Sequence, residues 1–145
     1  MVHFEDEEIV PFSPATIWRA LQEHTTTEIV HIHPEIIAQK VIRSEGKTMV
    51  LERIIKIRGK WLHSTWEVTT IPPSRLEWKV VAGEGPIATG SFLTLTYEPV
   101  PAGTRVRATG EIKVVGIPFF LQRKAVRVVL DQISGQDAAY LNSHP

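Results

Sequence analysis

The stretch "TRVRATGEIKVVGIPFFLQRKAVRVVLDQISGQDAAYL", residues 104–141, changes its repeat partway along, and that change decides the fold. Up to Val114 the apolar positions fall on every second residue. Val106, Ala108, Gly110, Ile112 and Val114 share one face, and Arg105, Arg107, Thr109, Glu111 and Lys113 share the other. A strand of this kind has one side on a core and one in water, as antiparallel sheets allow. After "VVGIP" the spacing becomes helical. Pro118 suits the opening of a helix, and Phe119, Val126, Leu130, Ile133 and Leu141 recur near helical spacing, so one long final helix is expected. Gly135 costs that helix about 1 kcal/mol against Ala and is a candidate for a bend or a close approach of the sheet. No other element is large enough to cover the apolar face of the sheet.

Upstream, "PFSPATIWRALQE" (11–23) reads as a helix start, with Ser13 as N-cap, Pro14 at the first helical position and Ile17, Trp18 and Leu21 as its apolar stripe. That helix is expected to stop near the Thr25-Thr26-Thr27 run. From Glu35 the pattern alternates, punctuated by turn signals at "SEGK" (44–47), "IRGK" (57–60), "IPPS" (71–74), "GEGP" (83–86) and "VPAG" (100–103). These divide the region into six strands. With "HFEDEEIV" (3–10) as an earlier strand, the count is seven, close enough in sequence to pair antiparallel. In "RLEWKVVA" the inner row is Leu76, Trp78, Val80 and Ala82.

The 145 residues suit a single domain spanning 1–145. Lys plus Arg and Asp plus Glu are balanced at 16 each, so no overall field draws the chain to nucleic acid. Cysteine is absent, which removes disulfides, thiolate metal sites and cysteine nucleophiles. The acidic start "MVHFEDEEIV" is unlike a signal peptide and no apolar run approaches a membrane span, so a soluble, cytoplasmic protein is expected.

One strand, a short helical region, six further strands and a long C-terminal helix is an order that resembles the helix-grip fold of the START, birch-pollen-allergen and polyketide-cyclase (SRPBCC) superfamily. The resemblance runs over nearly the whole chain. Its motifs are "IVPFSPATIWRAL" leading into the first helix, "HPEI" at the second strand and "GTRVRATGEI" on the seventh. The span "GEGPIATGSFLTLTYEPVPAGTRVRATGEIKVVG" (83–116) resembles in particular the CoxG-like branch, named for an accessory protein of carbon monoxide dehydrogenase. What the resemblance implies is an α+β fold, a seven-stranded curved antiparallel sheet wrapped around the C-terminal helix, with short helices after the first strand. It also implies a cavity between sheet and helix for an apolar ligand such as a lipid, isoprenoid, quinone or polyketide. These motifs are structural punctuation and none is catalytic.

Candidate ligand contacts follow. Trp66, Trp78, Phe92, Phe119 and Phe120 are large apolar groups on elements that would meet at such a cavity, although aromatics at these spacings are more often ordinary core. In "TMVLERIIKIRG" Arg53 falls in the apolar row of Met49, Leu51, Ile55 and Ile57, where a charge needs a partner or a polar ligand. The alternatives are an ion pair with a protein carboxylate or a bend that turns Arg53 outward. On the next strand Ser64 shares the inner row with Leu62, Trp66 and Val68, and either donates into the cavity or bonds locally.

The histidine-rich "HTTTEIVHIHPEI" (24–36) holds three of the six histidines. It reads as the turn and short helix between the first helix and the second strand, at the mouth of the cavity. His31 and His33 share a face only if the segment is extended, and a third metal ligand from His24, Glu28, Glu35 or His63 could be supplied only by folding. No spacing matches a ligand motif, so no metal, no cofactor and no catalytic residue is assigned. His63 and Glu67 point away from Ser64 and form no triad with it, and "GEG" has no helix after it to receive phosphate. Between Ile112 and Leu130 Lys113, Arg123, Lys124 and Arg127 occur with no acidic residue beside Phe119 and Phe120. That face is either simply solvated, which is commoner, or suited to transient contact with an anionic membrane surface.

The expected function is binding, or binding and transport, of a lipophilic small molecule without chemistry of the protein's own. The runner-up is a polyketide cyclase or dehydratase-like enzyme using Arg53 and the histidines. A third reading is an accessory protein that recruits or supplies a membrane-linked redox enzyme. Oligomeric state is not readable from the sequence.

Overall fold

The two repeats appear as strand and helix in a computed structural model, which describes residues 1–26, 28–71 and 74–144. The chain runs β1 (Val2–Val10), α1 (Pro14–Glu23), α2 (Ile29–Ile32), β2 (Ile36–Glu45), β3 (Thr48–Ile57), β4 (Lys60–Ile71), β5 (Arg75–Gly83), β6 (Phe92–Val100) and β7 (Gly103–Ile112). A 3-10 turn at Phe119–Leu121 then leads into α3 (Gln122–Ser143). The reversals fall at the turn signals read from the sequence. Pro72 and Pro73 of "IPPS" and Thr27 of the threonine run lie outside the described residues.

All seven strands pair antiparallel in one open sheet, in the order β1-β7-β6-β5-β4-β3-β2. Strands β2 to β7 form a meander, and β1 closes against β7 with Phe4 opposite Gly110 and Asp6 opposite Ala108. This is the helix-grip architecture that the sequence pattern predicts. Two register shifts interrupt β2, between Ile36 and Ala38 and between Val41 and Arg43. The first makes Ile37 an extra residue, so that Ile36 and Gln39 share the inner face where plain alternation would have paired Ile36 with Ala38.

Helix α1 starts where expected. The Ser13 hydroxyl accepts from the Thr16 amide at 3.2 Å, Pro14 occupies the first turn, and Ile17 and Ala20 are buried. Helix α3 runs without a break through Gly135, and a Cβ added there would meet nothing within 4 Å. Gly135 therefore neither ends the helix nor marks an approach of the sheet.

The interior consists of separate apolar groups. Phe4, Ile112, Val114 and Val126 join β1 and β7 to the start of α3. Ile17, Ala20, Tyr97 and Leu141 join α1 and β6 to its end. Leu51, Val68, Leu76 and Trp78 fill the middle of the sheet, and Ile29, Ile36 and Ile55 pack beneath α2. Helix α3 is thus fastened near its ends. At the first, the Gln122 side chain accepts from the Val114 amide at 2.9 Å and donates to the Val114 and Ile117 carbonyls at 2.8 Å each. Between the fastenings the helix bridges an open space.

Candidate functional site

That space is a cavity of about 310 Å³. Its walls are β1, α1, the inner faces of β6 and β7, and α3 from Leu130 to Asn142. The inner row of the sheet shows the cause. Leu51, Val68 and Leu76 are wholly buried, whereas Leu93, Leu95, Val106 and Ala108 stand on the same face and remain partly accessible because they look into a void. The lining is mostly apolar, with Asp6, Glu8 and Ser134 at the β1–α3 side and His24 and Asp137 at the other. Its volume is at the lower end of the range for small-molecule sites.

Beyond Leu21, Leu93 and Leu95, which pack on both the cavity and the central apolar group, lies Arg53. It is buried on the inner face, as its row predicts. Its partner is neutral: Nε and Nη2 both donate to Gln39 Oε1, at 2.9 and 2.7 Å. The Gln39 amide nitrogen in turn donates to the carbonyls of His24 and Thr26, at 2.8 and 3.1 Å. The guanidinium carbon sits 5.0 Å from the ring centre of Trp66 and 5.3 Å from that of Trp78, within cation–π range of both. The two indoles meet edge to face, and Trp66 Nε1 donates to Ser64 Oγ at 2.9 Å. Burial pulls the Arg53 pKa down to about 10, with Glu35 acting weakly the other way, so the side chain is a cation at neutral pH.

The Gln39 bond to the His24 carbonyl joins this layer to a second polar cluster. The side chains of His24, from the turn after α1, and His33, at the end of α2, converge on Asp137 of α3. His24 Nε2 lies 2.8 Å and His33 Nε2 3.0 Å from Asp137 Oδ1. Behind them, His24 Nδ1 donates to the Ala20 carbonyl at 2.7 Å and His33 Nδ1 to Gln136 Oε1 at 2.5 Å. Gln136 is oriented by donating to Glu35 at 3.0 Å. Burial opposes ionisation of Asp137, but hydrogen bonds from the two histidines and their charge outweigh it and bring the carboxyl down to about 2. Burial likewise disfavours the His33 imidazolium, and the bond and charge of Asp137 more than offset it, so the His33 pKa is raised.

Of the residues singled out in the sequence, Arg53, Ser64, Trp66 and Trp78 come together in one layer next to the cavity. Three aromatics do not join them. Phe92 alternates with the inward Leu93 and is 40 % exposed on the outer face of β6. Phe119 and Phe120 lie in the turn before α3, which leaves them 89 % and 71 % exposed, stacked edge to face on each other. His31 is exposed while His33 is buried, so these neighbours do not act as a pair. His63 is exposed as well, opposite the face that carries Arg53. Alternation and spacing missed Gln39, Asp137 and Gln136. None of the three had a local signal, Gln39 being one of several polar residues in β2.

The fold and its cavity define a helix-grip protein. The sequence matches the family described as polyketide cyclase/dehydrase and lipid transport over residues 1–139, and the chain belongs to that family. No curated protein matches it in sequence. Among solved structures it is similar to Ara h 8.0201, with a TM-score of 0.80 at 16% identity over 99% of both chains. It is also similar to a START superfamily protein from Mycobacterium smegmatis, with a TM-score of 0.74 at 14% identity over 99% of both. The Zhui aromatase/cyclase from Streptomyces sp. R1128 superposes with a TM-score of 0.70 at 12% identity, over 97% of this chain and 90% of that one. At these identities the likeness is one of fold. Among the described residues, no helix is long and apolar enough to cross a membrane.

Proposed function

We propose that the protein binds a lipophilic small molecule in the cavity between the sheet and α3. The observation that carries this reading is the row Leu93, Leu95, Val106 and Ala108, apolar side chains held accessible on the inner face of the sheet. A fold that sought stability alone would have closed over them. The family description, which includes lipid transport, supports it. The cyclase or dehydratase reading of the same family needs a proton donor or acceptor facing the ligand, and the His24–Asp137 edge of the cavity is where one would act. The CoxG-like resemblance of residues 83–116, which raised the accessory-protein reading, gains no support from the family match. Ala108→Phe places a ring in the void. With the apolar dye anilinonaphthalene sulfonate as probe, the variant is expected to bind about 10-fold more weakly or worse, a loss of about 1.4 kcal/mol, without a drop in melting temperature. Unchanged dye affinity would show that the cavity is not where apolar ligands go.

A second reading concerns delivery. Phe119 and Phe120 project into solvent beside the basic side chains of Arg123 and Lys124, which suits docking on an anionic bilayer. Vesicles with about a third phosphatidylserine should retain the wild-type chain, and the Phe119→Ser, Phe120→Ser variant should bind them on the order of 1,000-fold more weakly, each ring being worth roughly 2 kcal/mol when buried. Equal retention of both chains in a flotation assay refutes the docking role.

A further inference from the structure

The hydrogen bonds around Asp137 turn one nitrogen of each of two imidazoles toward a single carboxylate oxygen. The Ala20 carbonyl can only accept, so His24 Nδ1 carries the hydrogen in their 2.7 Å contact. Because Gln136 gives its amide hydrogen to Glu35, its Oε1 faces His33, and His33 Nδ1 carries the hydrogen there too. A neutral imidazole at either position then presents a bare Nε2 lone pair. Both lone pairs aim at one carboxylate oxygen, at 2.8 and 3.0 Å, where like meets like. Either protons or a cation must lie between these nitrogens and the carboxylate, with the two rings 5.3 Å apart between centres in a largely buried place.

We propose that Nε2 of His24, Nε2 of His33 and the carboxylate of Asp137 bind one divalent first-row transition-metal ion at the wall of the cavity. The ligand atoms lie within 4.8 Å of one another. Donors about 2.1 Å from a metal sit about 2.9 Å apart at right angles and about 3.4 Å apart in a tetrahedron, and the 2.8 and 3.0 Å separations match the former. Each histidine has its outer nitrogen tied to a fixed acceptor, the usual support for a metal-bound imidazole. Two imidazoles and one carboxylate suit zinc, iron(II) or cobalt(II) and leave coordination positions open. His24 and Asp137 line the cavity, so the open side faces it, where a carbonyl or phenolate oxygen of a ligand would reach the ion.

The ion alone tests this, independently of whether the cavity takes a lipophilic ligand. Chelator-treated protein titrated with Co²⁺ should show one saturating equivalent in the visible spectrum, with a dissociation constant at or below about 10 µM, and a raised melting temperature. Asp137→Asn should weaken binding about 100-fold or more, while His31→Ala, two residues from His33 but outside the cluster, should bind as the wild type does. Because Asp137→Asn removes a buried charge and could impair folding, histidine-ring NMR of the wild-type chain with Zn²⁺ gives a second readout. The Nε2 signals of His24 and His33 should shift on binding and those of the other histidines should not. Absence of saturable binding below about 1 mM, full binding in a folded Asp137→Asn chain, or shifts confined to other histidines would each overturn the proposal.

Discussion

Gln39→Leu is expected to destabilise the protein by about 3–5 kcal/mol, an effect out of proportion to the removal of one amide. Gln39 is the acceptor for both Arg53 hydrogen bonds and the donor to two backbone carbonyls. Its loss leaves a guanidinium buried against two indole rings with no acceptor for its Nε–H, bares the His24 carbonyl, and leaves the Thr26 carbonyl only the Ile29 amide at 3.4 Å. The sign of the second step is opposite. The folded pKa of Arg53, about 10, lies below its ordinary value, so folding disfavours the cation and its charge works against stability at every pH below about 10. Arg53→Met placed on Gln39→Leu should therefore recover most of the loss, so that the two substitutions are strongly non-additive in urea denaturation of all four chains of the cycle. A Gln39→Leu chain within about 1 kcal/mol of the wild type would show that Arg53 has another partner. The charge is thus kept in the interior at a stability cost, with a neutral amide as its hydrogen-bond partner and two indole rings beside it.

The second large effect concerns "GTRVRATGEI". A Cβ on Gly110 would lie 2.1 Å from the Phe92 carbonyl oxygen, and one on Gly103, whose φ is +140°, would lie 2.1 Å from the Val10 oxygen. Both contacts are with backbone, which cannot swing aside. Gly103→Ala and Gly110→Ala should each cost on the order of 3 kcal/mol in denaturant midpoint analysis. Gly135→Ala is the control, because its Cβ meets nothing, and a gain of about 1 kcal/mol is expected there. Tolerance of Ala at Gly110 would mean that β6 and β7 have room between them for a methyl group. Between the two glycines, Thr104 donates to the Phe12 carbonyl at 2.6 Å, and Arg105 pairs with Glu7 at 2.7 Å on the outer face. The motif holds β1 and the start of α1 onto the sheet.

These particulars show what the sequence made legible. Alternation placed Arg53 in the inner row because β3 has no register fault on that stretch, and the change of period after Val114 located α3. It failed at Gln39, because an inserted residue in β2 swaps the faces from Ala38 to Val41, where a second shift follows, and leaves no mark in composition. The cluster at Asp137 was invisible for a different reason. His24 and Asp137 are 113 positions apart and meet only because α3 folds back along α1. Of the histidine-rich stretch, His31 and His33 drew the reading, but His31 is exposed, and His33 is joined instead by His24, at the far end of the stretch. Phe119 and Phe120 misled in the opposite direction, since helical spacing cannot tell that the first turn extends beyond the edge of the sheet.

The bridge made by α3 has a bearing on how such proteins diversify. Its ends are locked by Gln122, Val126 and Leu130 on one side and Leu141 on the other, while Ile133 and Ser134 between them face the void. Substitutions in the span change the shape of the chamber without loosening either lock. Selection can therefore rework what the chamber accepts while drawing on few of the contacts that keep the chain folded, which agrees with the architecture persisting at 12–16% identity between this chain and each of these solved structures.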